Sequence, residues 1–481
     1  MNILMVMPKM ADGGFFPIGI AYISSFLKKK GYNIFCLNLS SHEESEYEVL
    51  KQYIRKHNIK IVCTGGISIL YKNLKVIVDV VKSIDPNIII VMGGGCLSSN
   101  PELILNTLRI DYGVIGEGEY TAAELVDAII NKKDFSRVKG IIFKDEKGDI
   151  VRTQPRPEIE DIDSLPYPDY DGFNVEKYLE RRLPATDFER ALGHDNPRMI
   201  DMVSSRSCPF SCTFCFHTSG KKYRQRSLES FFKEAEYVIQ KYDANIIALN
   251  DELFSVNSDR MLKFAEMAKK YKIKWMAQIK VNPPVGVDLL KQLKDSGMIY
   301  ISFGLESVNN IILRSMKKKI TSEQINSALR TAYDARICFG GNFLLGDPAE
   351  TVKTANDTIR WWANYPELNT NLGVGNRIIT FPGTPIYQQA VNKGVIKDEV
   401  KYLEDGCPVV NVSKNMTDDD YLYLKCRLYK IKENLKYLSV GEVLYSKKTG
   451  NLNGRNIYHL KIGNYKRFDT SIIILTGVYE T

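Results

Sequence analysis

The chain has 481 residues, 44% hydrophobic and 25% charged, with a formal charge of +8 and nine cysteines. That profile suits two or three domains of a soluble globular protein and excludes a small disulfide scaffold or a disordered chain. No run of eighteen apolar residues occurs, so no membrane-spanning helix is expected, and the basic residues are scattered rather than massed, which argues against a nucleic-acid partner. The opening residues Asn2 to Met7 read as a strand, not as a basic region and apolar core before a cleavage site. With free thiols in number, a cytoplasmic protein is expected.

Residues 1–150 alternate short apolar runs with amphipathic segments. Strands are expected at Ile3–Met7, Asn33–Leu39, Ile59–Cys63, Ile88–Met92 and Asp111–Ile115. Helices are expected at Ile20–Lys30, Glu46–His57, Val76–Ile84, Pro101–Leu108 and Thr121–Asn131. This alternation predicts a doubly wound, Rossmann-like α/β sheet, whose ligands lie beyond the carboxyl ends of the strands. The turns holding Gly65, Gly66, Gly93, Gly94, Gly95, Gly116 and Gly118 fall at those ends. A dinucleotide fingerprint is missing from the first strand–helix junction. The plainer alternative is that these glycines only make turns.

Residues 151–196 form a linker. Gly140–Thr153 reads as a small hairpin, Pro155–Pro168 is rich in proline and acid, and Tyr178–Arg190 is charged loop and helix. His194 sits in a turn and reads as a surface residue. After a strand at Met199–Ser204 comes Cys208-Pro-Phe-Ser-Cys212-Thr-Phe-Cys215, with gaps of three and two residues. Soft thiolates at such spacing suit zinc or an iron–sulfur cluster. A structural zinc site wants a fourth ligand and paired cysteines, and the next cysteine is Cys338. Three ligands suit a four-iron cluster with one iron left open. Three buried cysteines close by chance is the alternative.

This motif resembles that of the radical S-adenosylmethionine (SAM) family. The resemblance implies that Cys208, Cys212 and Cys215 hold a four-iron, four-sulfur cluster, with the aromatic Phe214 before the last ligand. The open iron would bind SAM, and an electron from the cluster would release a 5′-deoxyadenosyl radical. The first domain in turn resembles the cobalamin-binding domain that precedes many members. That likeness rests on Pro17-Ile-Gly-Ile-Ala-Tyr22, on Gly93-Gly-Gly95 before Pro101-Glu102, and on Asp111 to Glu119. In the loop Lys9 to Pro17 the histidine that ligates cobalt in such domains is missing, and His42 and His57 lie elsewhere. Cobalamin without a histidine beneath the cobalt is therefore expected.

Residues 197–390 alternate six strands with helices, predicting a partial (β/α)6 barrel with catalytic groups at the strand ends. The resemblance assigns roles there. Asp251 and Glu252 match an acid pair near the methionyl end of the cofactor. Glu306 and Ser307 match a Gly-any-Glu-Ser motif whose glutamate reaches the cofactor. Gln278 is a further candidate, Arg314 a partner for the cofactor carboxylate, and Gly346, with Pro348, a shaper of the loop near adenine. Arg206 either tunes the cluster loop or packs. The alternative for each acid is a solvated strand end.

Residues 391–481 carry no signature. Helices are expected at Lys397–Glu404 and Thr417–Lys436, then strand and turn from Gly454, a small α+β region that would cover the substrate. Tyr421, Tyr423 and Tyr429 are packing or lid residues. The resemblance implies cobalamin-dependent methylation of an unactivated carbon in a small molecule, fed by an external flavodoxin- or ferredoxin-type donor, by a monomer or weak dimer. The alternatives are ring formation, rearrangement or oxidation by the same two domains, or a vestigial cobalamin domain.

Overall fold

The computed structural model describes residues 1–10, 16–181, 196–254, 257–282, 284–369, 371–438, 442–452, 455–463 and 472–477. His194 and much of the segment 178–190 lie outside the described residues.

The first sheet is built from β1 (Asn2–Met7), β2 (Asn33–Asn38), β3 (Ile59–Gly65), β4 (Ile89–Gly93) and β5 (Tyr112–Val114), followed by β6 (Ile141–Lys144) and β7 (Ile150–Arg152). Its order is β2-β1-β3-β4-β5-β6-β7. The first five strands are parallel and the last two antiparallel. Ile3, Leu4, Met5 and Val6 are all fully buried, as a parallel strand covered on both faces requires. The covering helices are α1 (Ile18–Lys29), α2 (Glu46–Lys56), α3 (Tyr71–Ile84), α4 (Gly94–Ser99), α5 (Pro101–Thr107) and α6 (Glu119–Asn131). Two differences from the sequence reading stand out. The glycine run at 93–95 starts helix α4 rather than forming a free turn, and the hairpin at 140–153 extends the first sheet instead of standing in the linker.

After α7 (Val175–Arg181), the second sheet contains β8 (Met199–Met202), β11 (Ile246–Leu249), β12 (Lys274–Ile279), β13 (Met298–Glu306), β14 (Phe339–Leu345) and β15 (Leu372–Arg377), with β9 (Ser205–Arg206) and β10 (Arg224–Gln225) as a separate short ladder. All six strands are parallel and neighbours in chain order, the arrangement of an open (β/α)6 barrel. Its helices are α8 (Leu228–Tyr242), α9 (Ser258–Tyr271), α10 (Val287–Asp295), α11 (Asn310–Ser315), α12 (Ser322–Asp334) and α13 (Val352–Asn364). Local signals start several of them. The Ser227 hydroxyl accepts from Ser230 N–H at the start of α8, and capping boxes at Thr321 and Thr351 start α12 and α13. Phe254 packs edge to face on Phe264 and on Trp275 of β12, and the Phe264 and Trp275 rings are tilted by 55°.

Beyond the barrel, α14 (Pro385–Asn392) and α15 (Glu399–Glu404) reach back to the first domain. Asn100 donates to Glu399, and Lys75 pairs with Glu404. Helix α16 (Asp418–Leu438) packs on the edge strand β15, where Leu428 fills the space above Gly375. Tyr421 is buried there against Arg377, whereas Tyr423 and Tyr429 are exposed. Three antiparallel strands follow, Glu442–Leu452, Arg455–Gly463 and Ile472–Gly477.

Candidate functional site

The loop carrying Cys208, Cys212 and Cys215 is closed at its neck by β9 and β10, in which Ser205 faces Gln225 and Arg206 faces Arg224. Ser207 enters the loop with a left-handed φ of 67°, and its hydroxyl donates to the Gly220 carbonyl at 2.6 Å. Thr213 is held at both backbone groups: its N–H donates to Met316 and its carbonyl accepts from Ile386 N–H, each at 3.1 Å. The three cysteines line a cavity of about 480 Å³. Ile67, Ser68 and Gly95 line it from the first sheet, Gln278, Lys280 and Lys318 from the barrel, and Phe381 and Pro382 from the segment beyond. The cavity therefore lies where the carboxyl ends of the two sheets meet.

Charge in this cavity is arranged around sulfur. Burial pushes the Cys208 thiol up, while a hydrogen bond from Cys215 draws Cys212 down to about 6, and Cys215, as the donor, is raised. The Lys318 ammonium lies 2.7 Å from Glu306 Oε1; burial opposes its charge, but Glu306 and Cys212 outweigh burial and hold it protonated. Lys280 stands 3.1 Å from the Phe210 ring centroid, and burial and its neighbour Lys318 lower it to about 8. His217 Nδ1 is 2.6 Å from Glu252 Oε2 and its Nε2 is 3.0 Å from the Phe210 carbonyl; the Glu252 carboxylate raises it. Among the described residues no three Cys, His, Asp or Glu side chains gather tightly enough to hold a single metal ion. Three thiols lining one cavity together with the Lys280 and Lys318 ammonium groups instead fit a multinuclear sulfur-ligated cluster with net negative charge.

The expected site residues divide into two groups. Phe214, Glu252 and Gln278 line the cavity with the cysteines. Glu306 sits beside it, at φ 66° after a register shift at the end of β13, with its carboxylate turned to Lys318. A non-glycine residue in that conformation is held there by its surroundings. Asp251, by contrast, is buried and accepts from Ser204 N–H at 2.7 Å, Ser204 Oγ at 2.5 Å and Ser205 N–H at 3.0 Å. It braces the strand end that feeds the cluster loop and does not line the cavity; burial raises it to about 6. Ser307 is fully buried against Thr358, Arg314 is exposed on α11, and Gly346 lies beside Arg377 and Tyr421. None of these three lines the cavity.

The glycines also separate. A Cβ on Gly65 would sit 2.6 Å from the Gly93 carbonyl oxygen, and one on Gly94, at φ 78°, 2.9 Å from Gly66 N. These residues let two backbone turns touch, which is a different use from approach to a ligand. Gly66 packs on Leu70, Gly93 on Val114, and Gly118 on Ile23; Gly116 has open space around it at φ 80°. Gly95 alone of the seven lines the cavity, and a Cβ there would meet Thr218 of the cluster loop at 3.1 Å. Arg206 pairs with Glu117 and Glu119 across the domain boundary. Sequence reading missed Lys280, Lys318, His217, Phe210 and Phe216. A signal existed for His217, two residues beyond the last cysteine, and for Lys318, within the basic run that follows the Glu306 motif.

Residues 11–126 match the B12 binding domain, and residues 202–361 match the radical SAM superfamily. The chain is a radical SAM protein with a B12-binding domain. It is 28% identical over 386 residues to an uncharacterized methyltransferase of Pyrococcus horikoshii, covering 79% of each chain. It is 25% identical over 418 residues to the anaerobic magnesium-protoporphyrin IX monomethyl ester cyclase of Rubrivivax gelatinosus, covering 84% of this chain and 72% of that one. In fold it is similar to the radical SAM methyltransferase TsrM of Kitasatospora setae bound to tryptophan and a SAM analogue, with a TM-score of 0.68 at 18% identity over 82% of this chain and 77% of that one. A second structure of TsrM contains cobalamin and a four-iron, four-sulfur cluster. Enzymes of the radical SAM class act on small molecules and draw an electron from a reductant. Among the described residues no helix is long and apolar enough to cross a membrane.

Proposed function

We propose that the protein is a cobalamin-dependent radical SAM methyltransferase that alkylates an unactivated carbon of a small molecule. The observation that carries this reading is the shared cavity: the cluster cysteines and the strand ends of the B12-binding domain line the same space. Bound there, the cluster and SAM would supply a 5′-deoxyadenosyl radical and cobalamin a transferable methyl group. Lys280 and Lys318 offset the negative charge of a thiolate-held cluster. Glu252 and Gln278, which line the cavity, would offer a carboxylate and an amide oxygen to an ammonium or hydroxyl of SAM. Phe210, Phe214, Phe216 and Phe381 wall the cavity with rings and keep water from a reactive intermediate. Holding two reacting groups in one enclosed space is worth about 7–11 kcal/mol in the best intramolecular cases.

The division into residues 1–150, 151–196, 197–390 and 391–481 belongs to this reading, as do a cytoplasmic setting, a flavodoxin- or ferredoxin-type donor and a monomeric or weakly dimeric state. In the Lys9–Pro17 loop there is no histidine to ligate cobalt, and His57 stacks on Phe35 at 4.1 Å while His42 lies near Glu44. The test is anaerobic reconstitution with iron, sulfide and cobalamin, followed by product analysis with methyl-labelled SAM and candidate substrates. S-adenosylhomocysteine formed together with 5′-deoxyadenosine, and label in the product, is expected. A second reading, cyclisation or oxidation without methylation, is favoured by the Rubrivivax relative. Product formed with 5′-deoxyadenosine but without S-adenosylhomocysteine would replace the first reading by the second.

A further inference from the structure

The run Gly116-Glu117-Gly118-Glu119, which follows the interior strand β5, does not turn its acids into the cavity. Both carboxylates are buried against the neck of the cluster loop. Glu117 Oε1 accepts from Arg206 Nη1 at 2.8 Å; its Oε2 accepts from Arg224 Nη1 at 2.7 Å and from Ile159 N–H at 2.7 Å. Glu119 Oε1 takes the other Arg206 nitrogen at 2.6 Å, and the Arg206 guanidinium lies 5.2 Å from the Tyr22 ring centroid.

Arg206 and Arg224 are directly opposed across the two-residue ladder that closes the loop. Like charges in that position repel, and so short a ladder has little stability of its own. Glu117 answers both arginines at once, one oxygen to each. The neck is thus balanced by a residue that the barrel does not own. Glu158, from the linker, adds a second hold by accepting from the N–H groups of Lys221 and Lys222 at 2.7 and 2.9 Å.

We propose that Glu117 is a positioning residue that closes the cluster-loop neck only when the B12-binding domain is seated on the barrel. The cluster's place against the first sheet is thereby set from the first domain. This rests on reading residues 208–215 as a cluster loop and not on methyl transfer, and its test needs neither cofactor nor substrate.

The test is hydrogen exchange by mass spectrometry on the full chain with Glu117→Gln. Exchange in peptides from 207–223 and 158–160 is expected to rise about tenfold or more, with peptides from β1 and β12 unchanged. Glu117→Asp, which keeps the charge but shortens the reach, is expected to fall between. Unchanged exchange in 207–223 would overturn the proposal. So would an equal rise across both sheets, since that marks a general folding tie. Should Glu117→Gln fail to fold, Glu119→Gln frees only one nitrogen of Arg206, and a smaller rise confined to the same loop is expected; no rise there would overturn it equally.

Discussion

The two sheets present their carboxyl ends to one cavity, and they do so by opposite means. The barrel ends carry thiols, the close pairs Glu306–Lys318 and His217–Glu252, and a left-handed backbone at Glu306. The edge of the first sheet offers only Ile67, Ser68 and Gly95 to the same space, behind glycine turns that touch one another. One face does chemistry by charge and sulfur; the other offers surface and shape, as a large planar ligand would need. That difference says where substitutions abolish function and where they only loosen the fold.

The largest effect belongs to the sulfur side. Alanine at Cys208, Cys212 or Cys215 removes one of three cluster ligands, so iron content and 5′-deoxyadenosine formation are expected to be lost in each variant. Iron and sulfide unchanged in all three would put the cluster elsewhere.

Next comes the Glu306–Lys318 pair, whose side chains are both close to nine-tenths buried. Removing one partner of a buried pair costs about 3–5 kcal/mol, because the survivor is left uncompensated. Lys318→Met and Glu306→Leu are each expected to lower stability in urea by that order, and the double variant to recover most of it. Additive losses would show that the two groups do not act as a pair.

How much of this was legible depended on whether the signal was local. Thiol spacing is local, and so is the alternation of strand and helix; the first marked the loop of Cys208, Cys212 and Cys215, the second both sheets. The neck of the cluster loop was not legible, because its four residues pair across the seventeen intervening positions 207–223 and are balanced by Glu117 from another domain. Asp251 and Glu252 are adjacent acids, yet one turns into the strand end and the other into the cavity, a choice made by Ser204 and His217. In the run Lys317-Lys318-Lys319 the first and last are exposed. Only Lys318 turns inward, over Gly304, where any Cβ would lie 2.7 Å from its nitrogen.

A smaller effect separates turn-forming glycines from ligand-facing ones. Gly65→Ala forces a methyl against the Gly93 carbonyl, and overpacking of this kind costs about 1–3 kcal/mol in the protein without ligand. Gly95→Ala meets the end of the Thr218 side chain closely and Ile67 only at ordinary contact distance, so little loss of stability is expected; cobalamin retention is the quantity it should lower. Melting the two variants with and without cobalamin separates the cases. A Gly65→Ala protein as stable as the parent but unable to retain cobalamin would mean that Gly65 serves the ligand after all.

The gentlest test uses pH, to which the charged side should respond and the glycine side should not. Glu350 is fully buried after β14, with Oε1 unpartnered and the other oxygen accepting from Gly346 N–H. Burial, with Asp347 adding to it, pushes this carboxyl up to about 8, against the pull of that N–H. An unfolded glutamate titrates near about 4.3. Between those values the folded chain holds a proton that the unfolded chain has released. Stability is therefore greatest at the acid end of this window and falls as pH rises toward 8, by up to about 1.4 kcal/mol per pH unit. Glu350→Gln keeps an oxygen for Gly346 and cannot ionise. Urea midpoints at pH 6, 7 and 8 should fall more steeply for the parent than for this variant, while Gly65→Ala should follow the slope of the parent. Equal slopes for the parent and Glu350→Gln would mean that Glu350 is ionised in the folded protein, and the barrel ends would then hold one more buried charge than their geometry can answer.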